Sequence, residues 1–109
     1  MQMTLTRDFK QTVLERVRRD PSYAKALLDE ATTLFLNGEP ETARLILRDL
    51  VNATVGFEKL AVQTAKPSKS LHRMLTGKGN PSMDNLSTIL YVIQKNLGVQ
   101  IQTQIVKRA

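Results

Sequence analysis

Phe57-Glu58-Lys59-Leu60-Ala61-Val62-Gln63-Thr64-Ala65, a break at Lys66-Pro67, then Ser68-Lys69-Ser70-Leu71-His72-Arg73-Met74-Leu75 is the stretch on which the reading of this chain turns. The first run has the spacing of a short helix with Leu60 and Ala61 facing inward. Proline has no N–H to donate and biases its predecessor away from helical geometry, so Lys66-Pro67 ends that helix. A second short helix then starts near Ser68, where a hydroxyl can cap free N–H groups, and runs to Leu75 before Gly77 and Gly79 interrupt it.

Longer helices are expected on both sides. Arg7 to Asp20 reads as the first, with Phe9, Val13 and Val17 stacked four apart on one side and Arg16, Arg18 and Arg19 on the other. Asp20-Pro21 supplies a capping acceptor and a preset φ for a second helix, whose stripe is Ala24, Leu27, Leu28, Ala31, Leu34 and Phe35. Asn37-Gly38 ends it. Glu39-Pro40 opens a third helix with an acidic start, burying Ala43, Ile46, Leu47, Leu50 and Val51 and stopping at Gly56. After the two short helices, a sixth starts at Pro81-Ser82 or just beyond. It carries Leu86, Ile89, Leu90, Ile93 and Leu97 inward, with Gly98 as its cap.

Beyond Gly98 the period becomes alternating, with Val99, Ile101, Thr103 and Ile105 on one side and Gln100, Gln102 and Gln104 on the other. That pattern predicts a β-strand over residues 99–106. A lone strand leaves its backbone groups unpaired, so it must pair with a second copy or with a partner, or else remain frayed. The fold class expected is therefore all-α, five to six helices plus a short C-terminal β-strand. Residues 1–109 are expected to make one domain, with N-terminal helices over 1–55.

A chain of 109 residues with 41% hydrophobic side chains and only five aromatics suits interleaved helices around a single core. The N-terminus has no basic stretch leading into an apolar one, and no run is long enough to span a bilayer, so neither secretion nor a membrane is expected. The absence of cysteine excludes disulfides and thiolate metal sites, and makes a cytoplasmic location the expectation. With one histidine, a zinc site would rest almost wholly on carboxylates, so no metal and no cofactor are expected. No paired carboxylates, nucleophile with its base, or phosphate-cradling loop can be assembled, so an enzyme is not expected.

Charge is distributed unevenly. Residues 1–55 hold eight basic and eight acidic side chains, whereas residues 56–109 hold eight basic ones against Glu58 and Asp84, which accounts for the whole net charge of +6. A phosphate-binding face has this electrostatic footprint, although a solvated basic surface has the same composition.

Two short helices with a tight break, braced by longer ones, are what a helix-turn-helix requires, here within residues 57–97. Leu60-Ala61-Val62-Gln63-Thr64-Ala65, followed by Ser68 through Leu75 and then Thr76-Gly77-Lys78-Gly79-Asn80-Pro81, resembles the phage-repressor, or Cro-like, helix-turn-helix family. His72-Arg73-Met74-Leu75, Gly79-Asn80-Pro81 and Leu97-Gly98 resemble its addiction-module antidote branch. Gly38-Glu39-Pro40 matches a step that tends to precede the motif in that branch. The likeness spans roughly Leu27 to Ile101. It departs at the turn, where Ala65-Lys66-Pro67 replaces the usual Gly-apolar-Ser and leaves the start of the second short helix open by one residue. It departs also in charge, since such antidotes are commonly acidic.

What the resemblance implies is a sequence-specific transcriptional repressor, a homodimer on a palindromic double-stranded DNA operator, and autoregulation as the antitoxin of a toxin–antitoxin pair. The alternatives are an interaction module that neutralises a RelE-like ribonuclease toxin, with DNA binding secondary, and a stand-alone regulator. Ser68, Lys69, Ser70, His72 and Arg73 fall on the helix that would enter the major groove. Lys69 and Arg73 can bond guanine or phosphate, Ser68 and Ser70 can donate to either, and the sequence does not choose among these. Lys78, between glycines, is expected to touch phosphate. His72 reads more readily as a surface or capping residue than as a ligand, and Leu71, Met74 and Leu75 as core. The Arg16, Arg18 and Arg19 cluster reads as a solvated face.

Overall fold

The computed structural model describes residues 2–109, with side chains described from Gln11 onward. Among the described residues there are six α-helices and no strand: α1 (Gln2–Arg19), α2 (Pro21–Leu36), α3 (Pro40–Ala53), α4 (Phe57–Thr64), α5 (Ser68–Met74) and α6 (Met83–Leu97).

Each boundary has a local cause. Asp20 sits in extended geometry and accepts the Ser22 N–H at 3.1 Å and the Ser22 hydroxyl at 2.6 Å, while Pro21 takes the first helical position of α2. Ser82 caps α6 by accepting the Asn85 N–H at 3.1 Å. At the C-terminal ends, the N–H of Glu39 reaches Leu34 O, that of Lys66 reaches Ala61 O, and that of Val99 reaches Gln94 O, at 2.9, 3.1 and 3.0 Å. Each such bond closes over one residue in left-handed geometry: Gly38, Ala65 and Gly98 respectively. Proline opens α3 as expected, but Glu39 makes no capping bond with its side chain.

Among the residues whose side chains are described, Leu47, Leu50 and Val51 of α3, Leu60 of α4, Leu71 of α5, Leu75 just after it, and Ile89 and Ile93 of α6 are the largest that are fully buried. Both short helices thus anchor in the same core as the long ones. The helix pair α2 and α3 packs most extensively, with Ala24, Ala31 and Ala43 buried, and α1 lies against both. In turn, α4 packs against α5 and α6, and α6 reaches back to α2. Fully burying a Leu or Ile contributes about 1.5–3 kcal/mol, so Leu60, Leu71 and Leu75 offset much of the ordering of such short helices.

Three expectations are corrected. The first helix begins at Gln2 rather than Arg7, because no glycine or proline stands between them to stop it; Phe9 lies outside the residues whose side chains are described. Ser68 is the first residue of α5, not its cap, since Pro67 occupies the capping position and no side chain bonds there.

The strand over residues 99–106 does not form: residues 99–109 carry no regular secondary structure. Val99 and Ile101 do share a side and pack half-buried against the core. The N–H of Ile101 donates to Gln94 Oε1 at 2.7 Å instead of to a second strand. Beyond it Ile105 is 98% exposed and Val106 is 73% exposed. The alternation reflects two side chains docking on helices, not a ladder, because a strand needs a neighbouring strand for its backbone groups.

Next to Ile101, a groove of about 330 Å³ runs between α2 and α6, bordered by the exposed Leu36, Met83 and Tyr91. Among the described residues no helix is long and apolar enough to cross a membrane.

Candidate nucleic-acid interface

The turn between α4 and α5 fixes how α5 is presented. Ala65 adopts φ 55° and ψ 39°, and Pro67 is extended at φ −62° and ψ 138°, so the chain reverses within three residues and α5 starts at Ser68. The Pro67 carbonyl accepts the N–H of Ser70 at 3.0 Å and of Leu71 at 3.2 Å, which closes the first turn of α5. This resolves the register left open by Ala65-Lys66-Pro67.

Leu71 and Leu75, four apart, are fully buried, and Met74 packs half-buried beside them. The opposite line of the helix is therefore the outward one, and it carries Lys69 and Arg73, also four apart and both exposed. Ser70 and His72 lie on either flank. Ser68 is half-buried, nearer the inward side.

His72 stacks one ring face on Phe57, with centroids 3.8 Å apart and planes 19° from parallel. Phe57 is the buried first residue of α4, so the imidazole bridges the two short helices. Of the six sequence-predicted site residues, Ser70, Arg73 and Lys78 come together around one shallow depression of about 360 Å³, along with Met74, Gly79 and Asn80. The guanidinium of Arg73 lies 3.4 Å from Ser70 Oγ, which accepts from it. Lys69 shares the outer line with Arg73, while Ser68 and His72 do not border the depression.

The loop from Thr76 to Asn80 carries Lys78, which is exposed. It is folded tightly onto the end of α5. Thr76 Oγ1 donates to Arg73 O at 3.0 Å, and the Gly79 N–H donates to Thr76 O at 3.1 Å. A Cβ at Gly79 would lie 2.3 Å from Met74 O and 2.7 Å from Arg73 O, so only glycine fits there.

Arg44 of α3 was not among the sequence-predicted site residues. Its Nε donates to Thr76 O at 2.9 Å and its Nη2 to Gly77 O at 2.7 Å. At Gly77 the nearest neighbour of an added Cβ would be the Glu41 carboxylate, at 3.4 Å. A pattern of helix-facing residues gives no sign of such a reach. A second tie, from Asn96 Nδ2 to Gln63 Oε1 at 3.0 Å, fastens α6 to α4 on another side.

Among the described residues no group of three or more His, Cys, Asp or Glu side chains is placed to hold a metal ion. What the surface offers is cationic and hydrogen-bond-donating: Lys69, Arg73 and Lys78 with two serines and an asparagine, on a firmly held helix and loop. Cationic and hydrogen-bond-donating side chains of this kind suit an anion. Comparison of the chain with protein-family models, with curated proteins and with solved structures finds no match.

Proposed function

We propose that this chain is a sequence-specific DNA-binding transcriptional repressor, in which α4, the turn at Ala65–Pro67 and α5 make a helix-turn-helix of the phage-repressor type. In this reading α5 enters the major groove, about 12 Å wide, with Lys69 and Arg73 toward base edges or phosphates and Lys78 toward the backbone. The observation that carries it is the outward line of Lys69 and Arg73 on a short helix whose other side is locked by Leu71 and Leu75. The +6 charge, which belongs wholly to residues 56–109, supports it.

A helix of seven residues touches few base pairs, so an operator reader of this size is expected to act as a two-fold pair. Its half-sites would be centred about 34 Å apart on a palindrome. Selection from a random duplex pool followed by binding at stepped salt concentrations tests the reading. With about five phosphate contacts per monomer, log affinity should fall with log salt at a slope of about −4 to −5 for each monomer. No enriched sequence, or affinity indifferent to salt, would sink it.

The second reading is the antitoxin role, with a RelE-like ribonuclease toxin as partner. The exposed apolar groove between α2 and α6, on elements other than α5, favours it. Co-expression with the product of the neighbouring reading frame, and loss of copurification on Tyr91→Glu, would support that role. A neighbour that neither binds nor inhibits growth leaves the stand-alone repressor.

A further inference from the structure

The hydrogen bonds from Arg44 join α3 to a loop more than thirty residues away in sequence, and they hold two successive carbonyls with one planar guanidinium. A fork of this kind fixes the orientation of both peptide planes, where a single bond would leave the loop free to rotate. The loop is pinned on its other side by the tight fit of Gly79 against the last carbonyls of α5. Lys78 is thereby set between two restrained glycines at the rim of the depression that Ser70, Arg73 and Asn80 also border.

We propose that this depression seats one backbone phosphate of the bound duplex. Arg73 and Lys78 supply the charge, and the Ser70 hydroxyl and Asn80 amide complete the hydrogen bonds. Arg44 is a positioning residue: its guanidinium is turned to the carbonyls of Thr76 and Gly77 and does not border the depression, and it acts by holding the loop that carries Lys78. The proposal rests on the DNA-binding reading and adds to it a particular contact and a residue outside the motif.

The test uses the intact chain, its selected duplex, and the variants Lys78→Ala, Arg44→Ala, Arg44→Lys and the double alanine variant, each checked for folding by circular dichroism. Lys78→Ala should flatten the salt slope by about 0.9, the loss of one phosphate. Arg44→Ala should flatten it by the same amount, the double variant by no more than either single one, and Arg44→Lys should recover part of the loss. In parallel, inorganic phosphate titrated into the free protein should shift the amide resonances of Lys78, Gly79 and Asn80, and this response should vanish in Arg44→Ala.

A lowered melting temperature with an unchanged salt slope in Arg44→Ala would overturn the proposal and leave Arg44 a stabilising residue only. A double variant that loses twice the slope would also overturn it, by showing that Arg44 meets phosphate itself. If no duplex binds but phosphate still shifts the loop amides in an Arg44-dependent way, the DNA reading fails and the anion seat stands alone. If duplexes bind and phosphate shifts nothing, the seat fails and the DNA reading stands.

Discussion

Three helix ends use the same reversal, and two of them place glycine where the chain turns left-handed; the third places Ala65 there, at φ 55°. A non-glycine residue in that conformation costs about 1–2 kcal/mol, part of which glycine returns through its larger unfolded entropy. Ala65→Gly should therefore raise stability by about 0.5–1 kcal/mol in urea denaturation, and a lower midpoint would contradict the geometry of the turn. Gly79→Ala should do the reverse, because the new methyl would meet Met74 O at 2.3 Å and the loop must shift. A loss of about 1–3 kcal/mol is expected. Lys69→Ala and Arg73→Ala, both on the outer line of α5, should leave the melting temperature in place. Each should weaken operator binding by about 1–3 kcal/mol if it reads a guanine. Unchanged affinity in both would mean that a different face meets DNA.

Among the elements, α2 depends on one titrating cap. Hydrogen bonding from the Ser22 side chain is the foremost cause that holds the Asp20 carboxyl below its ordinary range; burial, next in size, opposes it, and the Ser22 and Tyr23 N–H groups and the charge of Arg16 add to the lowering. A carboxyl lowered in the folded state stabilises the fold above its unfolded pKa, and that contribution is lost as pH falls through the folded value. The difference in melting temperature between the wild type and Asp20→Ala should accordingly be widest near neutrality and shrink below about pH 4. A difference constant with pH would show that the charge of Asp20 is irrelevant to the cap.

Local signals at helix ends are why so much of the fold is legible in the sequence. Asp20-Pro21, Glu39-Pro40, Ser82 and Gly98 mark ends with chemistry that acts within a few residues. The start of α1 offered no such mark. The tail misled because Val99 and Ile101 alternate in order to dock on helices, and four alternating positions cannot distinguish that from a ladder. The outward residues of α5 followed from its period once Pro67 set its start. Arg44 was illegible, because what it does depends on where a distant loop comes to lie.

At the scale of the whole molecule, the last contacts of the chain with its body are the packing of Val99 and Ile101 and the Ile101–Gln94 bond. Ending the chain after Gln102 should leave the thermal midpoint unchanged, since residues 103–109 are exposed. Ending it after Gly98 should lower the midpoint and uncover the side of α2 that borders Ile101. Equal midpoints for the two truncations would show that the docked pair contributes nothing. The same architecture orders events in time. The packing of α2 on α3 and of α4 on α5 joins sequence neighbours, which meet early because short loops close at little entropic cost. The Arg44 fork spans more than thirty residues and can close only after both halves have assembled. In stopped-flow chevrons, Arg44→Ala should thus leave the refolding arm in place and lift the unfolding arm, the signature of a contact made after the transition state. The loop bearing Lys78 would then be among the first parts to open under native conditions, exchanging its amide hydrogens well before the buried leucines of α3 exchange theirs.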